Sequence, residues 1–182
     1  MSERRKAFEL ALLDALESRK RERFAAPVWR VTREGRDPVM PSPSNSRWCD
    51  GSFDVLYTAL APDGAIAEVH ALLAMQPVLP SRIKSFLNCL EAEAGNMLVI
   101  NDLRDVESLG ISAASYRDRD YGETQTVAAA AQFLGYDGII APSARWNCQN
   151  AIFFAGSIMP SAVKPELIDW DAWRKTTRAA AP

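Results

Sequence analysis

The amino-acid sequence predicts an α+β fold, in which strands and helices share one hydrophobic core. The 182 residues are 48% hydrophobic, which is enough to bury one core without disulfides or a structural metal. Segments with the alternating pattern of strands are interleaved with segments that have the spacing of amphipathic helices. A single domain is expected from the length, because two equal domains would each have a thin core.

The amino-terminal third is predicted to open with a helix and to continue with two strands around a long loop. Apolar residues at helical spacing in residues 3–24 predict an amphipathic helix that ends before Pro27. Residues 28–32 and 55–58 alternate in the manner of strands. Residues 38–50 between them are rich in Pro, Ser and Asn and predict a loop, and loops of that length are often functional.

The remainder of the chain is predicted to alternate helices with buried strands. Thr124 is a candidate cap at the start of an alanine-rich helix. The predicted elements are helices at 65–75 and 124–134, strands at 97–101, 139–141 and 150–154, and a short tail helix at 165–178 that carries Trp170 and Trp173.

Composition argues against several classes of partner. The net charge is -2, from 21 basic and 23 acidic residues, so the chain lacks the global positive field that holds nucleic acid. Cys49, Cys89 and Cys148 form no CxxC pair and suit reduced thiols in the cytoplasm. His70 is the sole histidine, which leaves a zinc site poorly supplied, and no apolar run reaches the roughly 20 residues that span a bilayer. A cytoplasmic protein with no metal and no membrane contact is expected.

Glu68 interrupts an apolar helix face. On the predicted helix it shares a face with Ala65, Leu72 and Met75. One interpretation is a carboxylate at the edge of the stripe that reaches water, and the other is a carboxylate that lines a cleft and is tuned for catalysis. Spacing alone favours neither.

Two arginines are candidates for gripping an anion. Arg30 lies in the middle of a predicted strand, where a solvated side chain is the common outcome. If it points into a cleft, its planar guanidinium suits a phosphate or ribose oxygen. Arg47 stands beside Trp48 in the long loop, a pairing that is also common on surfaces.

Ser143, Arg145 and Asn147 follow the buried strand at 139–141, a position where binding groups gather in sheets flanked by helices. Taken in isolation, an ordinary polar turn is the better interpretation of these residues. Ser143 has no GxSxG setting, and His70 lies in an alanine- and leucine-rich helix, where a structural role is expected, so a serine or cysteine hydrolase is poorly supported. The phosphate-binding motifs GxGxxG and GxxxxGK are absent from the sequence.

Nine short blocks occur in a fixed order along the chain: Val28-Trp-Arg30, Ser46-Arg-Trp48, Val55-Leu-Tyr-Thr58, Ala65-Ile-Ala-Glu68, Asn101-Asp-Leu103, Thr124-Gln125, Gly135-Tyr-Asp-Gly138, Pro142-Ser-Ala-Arg145 and Asn150-Ala-Ile-Phe153. Taken in this order, they resemble the RES domain, the toxin family of RES–Xre toxin–antitoxin pairs, which is named for an arginine, a glutamate and a serine. The resemblance covers roughly residues 27–155, and departs from the family at Ser46, where glycine is usual, and at Cys49, where asparagine is frequent.

The resemblance implies a fold similar to ADP-ribosyltransferases, a compact mixed β-sheet core with flanking helices and a cleft that holds NAD. It divides the chain into an amino-terminal helical extension at 1–26, a RES domain at 27–160 and a carboxy-terminal helical tail at 161–182 packed on the domain. Members of the family act as NAD glycohydrolases or phosphorylases, and some as protein ADP-ribosyltransferases. NAD is thus expected as a substrate, with no separate cofactor, and inorganic phosphate is one candidate acceptor.

The resemblance also implies roles for single residues. Glu68 would stabilise the positive charge that develops on the sugar when the nicotinamide–ribose bond breaks. Arg30, assisted by Arg47, would hold the phosphate or ribose side, and Tyr57 would stack on or orient the nicotinamide. Ser143 would hydrogen-bond the nicotinamide ribose or amide. The implied catalytic residues are Arg30, Tyr57, Glu68 and Ser143, and the implied NAD-binding residues are Arg30, Arg47, Tyr57, Ser143 and Asn150.

Three functions stay open at this level. Free NAD breakdown, by water or phosphate, ranks first, and protein mono-ADP-ribosylation ranks second, because the acceptor depends on loop shape. A binding module that recognises a nucleotide or a protein without turnover is the third, supported by the amphipathic first helix and the tryptophans of the tail. An Xre-type antitoxin and a second copy of the chain in a homodimer are the expected protein partners.

Overall fold

The structure is a computed structural model of the 182-residue chain. It describes residues 8–77, 84–155, 161–162 and 165–179. None of the helices in these ranges is long and apolar enough to cross a bilayer.

Helices and strands follow one another along the described chain, with the strands concentrated in one sheet. The helices are α1 (Leu10–Glu17), α2 (Pro62–Leu73), α3 (Leu103–Ser108), α4 (Gly122–Phe133) and α5 (Trp170–Ala179). The strands are β1 (Glu22–Arg33), β2 (Ser42–Ser46), β3 (Cys49–Ala59), β4 (Ser85–Val99), β5 (Gly138–Pro142), β6 (Gln149–Phe154), β7 (Ser161–Ala162) and β8 (Glu166–Leu167).

The strands form a mixed sheet that closes on itself. The described residues contribute eight strands, in the order β1-β3-β6-β5-β4-β7, with β2 beside β3 and β8 beside β4. β4 pairs antiparallel with β1 over most of its length and parallel with β5 at its end. Because β1 also touches β3, at Trp29 opposite Ala59, the strands β1, β3, β6, β5 and β4 make a ring.

Both faces of the central strands are buried. In β6, Ala151 and Phe153 belong to one hydrophobic cluster, whereas Ile152 and Phe154 belong to the other. Successive side chains of a strand point to opposite faces, so a strand covered on both sides reads as a continuous apolar run. The larger cluster packs α1, α3 and α4 against the sheet, and the predicted α+β fold is confirmed.

The first predicted helix is wrong in its extent. The structure has α1 at Leu10–Glu17 and begins β1 at Glu22, and residues 1–7 lie outside the described residues. Phe24, at the end of the predicted helix, is buried in the sheet core. Pairing of β1 with β4 from Glu22 to Arg33 outweighs the local periodicity.

Three further predictions are corrected. The long loop at 38–50 contains β2, which forms a hairpin with β3. The strand predicted at 97–101 is the end of a 15-residue strand, β4, and α3 after it was missed. Thr124 is not a cap: it lies inside α4, where its hydroxyl donates to the carbonyl of Tyr121.

Candidate active site

A cavity of about 290 Å³ opens between β1, β3 and α2. It contains most of the side chains that the sequence analysis singled out. Its lining residues are Trp29, Arg30, Val31, Ser44, Asn45, Ser46, Arg47, Tyr57, Thr58, Ala59, Ala65, Glu68, Val69, Ala71, Leu72, Arg119, Tyr121, Arg145 and Asn150.

Glu68 is a cleft carboxylate. Its Oε1 accepts a hydrogen bond from Ser143 Oγ at 2.8 Å and another from Asn150 Nδ2 at 2.9 Å. The same amide nitrogen of Asn150 lies 3.3 Å from the hydroxyl of Tyr57. These hydrogen bonds favour the second interpretation from the sequence, a carboxylate that lines a cleft. A side chain that extended into water would not be held by two residues on other elements.

A turn aims the hydroxyl of Ser143 at Glu68. The backbone N–H groups of Arg145 and Trp146 donate to Ser143 Oγ at 3.1 and 3.2 Å, and the N–H of Ser143 donates to the carbonyl of Cys148. Two donors therefore occupy the accepting side of the oxygen. Its single proton is left for the carboxylate. Ser143 is not a lining residue of the cavity and reaches it through Glu68.

Close packing brings α2 to this turn. Gly64 is buried in the first turns of α2, and a Cβ built on it would overlap Cys148 Sγ. A larger residue at position 64 would thus push the helix away from the turn 143–148. Glycine here is a packing requirement, and it allows Glu68, one turn later, to meet Ser143.

Arg47 is a buried cation with an unused donor. Only 6% of the residue is exposed, and its guanidinium lies 4.7 Å from the ring centre of Tyr116 and 5.0 Å from that of Tyr121. Nη2 donates to the carbonyl of Asp118 at 3.1 Å, whereas Nη1 is buried and has no hydrogen-bond partner among the described residues. A buried charge without full pairing is costly, so an anion in the cavity would stabilise it.

Arg30 also lines the cavity, but part of its guanidinium is engaged. Nη1 donates to the carbonyls of Pro38 and Met40, both at 2.9 Å. Burial and the nearby charge of Arg36 lower the pKa of Arg30, while Asp37 opposes them. The side chain therefore orders the strand-to-hairpin connection as well as facing the cavity.

Tyr57 and Cys148 stay uncharged beside Glu68. Burial, and then the charge of Glu68, hold the pKa of the Tyr57 phenol well above its usual range. The same two causes raise the pKa of the Cys148 thiol to about 11. Tyr57 thus offers a neutral ring and hydroxyl, and Cys148 is poorly suited to act as a nucleophile at neutral pH.

His70 lies away from the reacting groups. Its ring packs 4.9 Å from that of Trp173 and 6.2 Å from that of Trp170. Burial and the charge of Arg174 lower the pKa of its imidazole. Ser143 is hydrogen-bonded to Glu68 and not to a histidine, which fits neither a Ser-His nor a Cys-His arrangement.

Sequence reasoning missed part of the cavity wall. Arg119 and Tyr121 come from the loop at 113–121, and Arg119 Nη2 donates to the carbonyl of Ala71 on α2 at 2.9 Å. Arg145, which the sequence placed among possible binding groups after the strand at 139–141, also lines the cavity, and its Nη1 donates to the carbonyl of Arg117 at 2.8 Å. The run of four charged residues between Tyr116 and Tyr121 in that loop was the available signal.

A second cavity of about 530 Å³ lies on the other side of the Ser143 turn, and Ser143, Arg145 and Asn147 are among its lining residues. No group of three or more His, Cys, Asp or Glu residues in the described ranges is arranged to hold a metal.

Comparison with known proteins was made for the sequence and for the fold. The family model of the RES domain matches residues 27–174, which is most of the chain. The chain belongs to the RES domain family. The match begins within β1, at Pro27, and ends within α5, so it includes the first half of the tail helix.

The fold of this RES domain is similar to that of a chain in the crystal structure of the M. tuberculosis MbcT–MbcA toxin–antitoxin complex. The TM-score is 0.74 at 14% sequence identity, over 93% of this chain and 98% of the other. At so low an identity the likeness establishes the fold alone, which is the expected compact mixed β-sheet core with flanking helices. A comparison with curated proteins found no significant match.

Proposed function

We propose that this RES domain cleaves the nicotinamide–ribose bond of NAD. The observation that carries the proposal is the Glu68 carboxylate, held by Ser143 and Asn150 beside a cavity that is otherwise rich in arginine. A fixed carboxylate next to a site for an anionic ligand is what cleavage of a positively charged N-glycosidic bond requires.

The charge of the cavity suits a dinucleotide diphosphate. Arg30, Arg47, Arg119 and Arg145 line it, against the one carboxylate of Glu68 among the described lining residues. The whole chain, by contrast, has a net charge of -2. Guanidinium groups bind phosphate oxygens with two donors at once, so this local excess favours a ligand with phosphates.

Two buried polar atoms support the same ligand. Arg47 Nη1 is a donor and Asn150 Oδ1 an acceptor, and neither has a hydrogen-bond partner among the described residues. Both side chains line the cavity. A phosphate oxygen would satisfy the first and a ribose hydroxyl the second, which are the two kinds of group that NAD presents side by side.

The size of the cavity suggests how much of NAD it encloses. Ligand pockets begin at roughly 300 Å³, and the cavity here is about 290 Å³. We infer that the nicotinamide riboside half enters it and that the adenosine half extends along the mouth, past the exposed Arg119.

The chemistry follows from where the charge moves. When the bond between ribose C1 and the pyridinium nitrogen breaks, its electron pair leaves with the nitrogen, and the positive charge passes to the sugar. The Glu68 carboxylate would stabilise this cation, while the neutral ring of Tyr57 packs near the departing nicotinamide. The acceptor oxygen then forms the new bond to C1 and loses its proton.

The acceptor decides the name of the reaction. Water gives a glycohydrolase, inorganic phosphate a phosphorylase and a protein side chain a mono-ADP-ribosyltransferase. We rank the breakdown of free NAD first and protein mono-ADP-ribosylation second.

We further propose that the chain is the toxin of a toxin–antitoxin pair and that an Xre-type antitoxin blocks its cleft. Family membership supports this proposal, as does the fold shared with a chain of a toxin–antitoxin complex.

Nicotinamide release from NAD, with and without inorganic phosphate, tests the proposal. We expect Glu68→Gln, which keeps the shape and removes the charge, to lower kcat by about 100-fold or more. Glu107→Gln is the matched control, because Glu107 is exposed on α3 and lines neither cavity. The product mass separates ADP-ribose from its phosphorylated form.

Two results would contradict the proposal: no release by the unaltered protein in either buffer, or equal rates for the two glutamine variants. ADP-ribose attached to protein would move the assignment to the transferase.

Growth tests the toxin assignment independently. Induced expression should arrest growth and lower cellular NAD, the Glu68→Gln variant should do neither, and co-expression of an Xre-type partner should restore growth. Arrest by the Glu68→Gln variant equal to that by the unaltered chain would contradict it.

A further inference from the structure

An aromatic cluster joins α5 to the two elements that carry Glu68 and Ser143. The ring of Trp173 lies 4.9 Å from that of His70 and 6.1 Å from that of Trp146. His70 follows Glu68 by two residues on α2. Trp146 belongs to the turn whose N–H groups hold Ser143 Oγ. One tryptophan of α5 thus packs against both the helix that carries Glu68 and the turn that carries Ser143.

The start of α5 is fixed to the sheet. β8, just before the helix, pairs with β4, and the N–H of Ile168 donates to the carbonyl of Ser85 at 2.9 Å. Asp169 then caps the helix, since its Oδ1 accepts from the N–H groups of Asp171 and Ala172 at 3.0 and 2.9 Å. A helix anchored in this way can hold other elements in place.

We infer that Trp173 is a positioning residue for the pair formed by Glu68 and Ser143. These two residues are 75 positions apart in sequence, and their 2.8 Å hydrogen bond requires α2 and the turn 143–148 to keep one relative position. The close packing of Gly64 on Cys148 fixes α2 against the turn at one point. Trp173, packed against both His70 and Trp146, fixes the two elements at a second point.

Trp170 provides a matched comparison on the same helix. Its ring lies 6.2 Å from that of His70, while the ring contact to Trp146 comes from Trp173. Removal of either tryptophan takes the same side chain from the same helix. Only removal of Trp173 breaks the bridge between the two elements.

The kinetic test rests on the proposed function. We expect Trp173→Ala to lower kcat for nicotinamide release by about 10- to 100-fold, as misplacement of a reacting group by about 1 Å does, with the KM for NAD changed by less than about threefold. Trp173→Phe should retain most of the activity, and Trp170→Ala should stay within about threefold of the unaltered protein. Equal losses in Trp173→Ala and Trp170→Ala, or no loss in Trp173→Ala, would overturn the inference.

A crystal structure of the Trp173→Ala variant tests the inference without turnover, and so separates its failure from failure of the proposed function. We expect Ser143 Oγ and Glu68 Oε1 to lie beyond hydrogen-bond distance. If Trp173→Ala does not fold, Trp173→Leu, which keeps apolar bulk and loses the ring, takes its place in both tests. An intact Ser143–Glu68 hydrogen bond in the variant would overturn the inference.

Discussion

The hydroxyl of Ser143 is held by hydrogen bonds to its own turn and to Glu68. Two backbone N–H groups of its own turn occupy the oxygen, and its proton goes to Glu68. Asn150, which is 1% exposed, is the second donor to the same carboxylate oxygen. At the scale of residues, the site is therefore a preorganised carboxylate.

Many of the site residues could be predicted from the sequence, but only through the order of the sequence blocks and their resemblance to a known family. Arg30, Arg47, Tyr57, Glu68 and Asn150 do line one cavity. Periodicity could not decide whether Glu68 faced water, because that depends on a turn 75 residues away. Arg119 was not predicted for the same reason, because a hydrogen bond to the carbonyl of Ala71, which is distant in sequence, holds it at the cavity.

Arg47→Lys should weaken NAD binding more than turnover. The planar guanidinium contacts the rings of Tyr116 and Tyr121 and still presents Nη1 as a donor, whereas the single ammonium group of lysine cannot do both. Loss of one charge-assisted hydrogen bond, about 1.5–3 kcal/mol, predicts a rise of roughly 10- to 100-fold in the KM for NAD. Arg104→Lys, at an exposed position of α3, is the control, and steady-state kinetics measures the KM of both variants. A KM unchanged in Arg47→Lys would contradict the role.

The pKa of His70 should lie below the ordinary histidine value of about 6.5. Burial, and then Arg174, disfavour the protonated ring. Since the folded pKa is depressed, the unfolded chain binds the proton more readily, and stability falls as the pH drops below about 6.5. As the sole histidine, His70 gives an unambiguous NMR titration. A midpoint at or above 6.5 would be inconsistent with its packing.

At the scale of elements, the structure departs from prediction where pairing partners are distant. In β4, Leu90, Ala92 and Ala94 are buried while Glu91 and Glu93 are exposed, an alternation that is visible in the sequence. Alanine and glutamate have low β-propensity, so the pattern was weak without the partner strand β1. The apolar strands β5 and β6 needed no such help and were predicted nearly to the residue.

Gly64→Ala should destabilise the protein although alanine is the better helix former. The propensity gain is about 0.5–1 kcal/mol, whereas overlap with Cys148 Sγ should cost about 1–3 kcal/mol. Cys148→Ala should relieve the overlap, so the double variant should be more stable than the two single effects predict. Gly95→Ala, whose Cβ would meet its nearest atom at 3.6 Å, is the control. Urea unfolding measures all four variants, and additive effects would count against the contact.

At the scale of the whole molecule, charge is distributed unevenly. A chain of net charge -2 gathers four arginines around one cavity. The composition indicated that the chain has no global positive field, but net charge contains no information on where individual arginines lie. The elements that hold these arginines, β1, the β2–β3 hairpin and two loops, meet only because the sheet closes on itself.

NAD should stabilise the folded protein. In the Glu68→Gln variant, which should bind without turnover, NAD at about 100 times its Kd adds about 2.7 kcal/mol. For a domain of this size that raises Tm by roughly 5–10 °C. Arg47→Lys in the same background should lower the shift at equal NAD. A Tm that does not respond to NAD would contradict the ligand assignment.

The expected homodimer is a separate prediction. Light scattering at several concentrations should give about twice the chain mass of 20.1 kDa. A constant monomer mass would contradict it without touching the site.

The most direct test of the central claim is a crystal structure of the Glu68→Gln variant with intact NAD. We expect C1 of the nicotinamide ribose beside the side chain at position 68, with a ribose hydroxyl on Asn150 Oδ1 and a phosphate oxygen on Arg47 Nη1. NAD bound with its nicotinamide ribose away from position 68, or no NAD in the cavity at saturating concentration, would contradict the assignment of Glu68 as the group that stabilises the ribosyl cation.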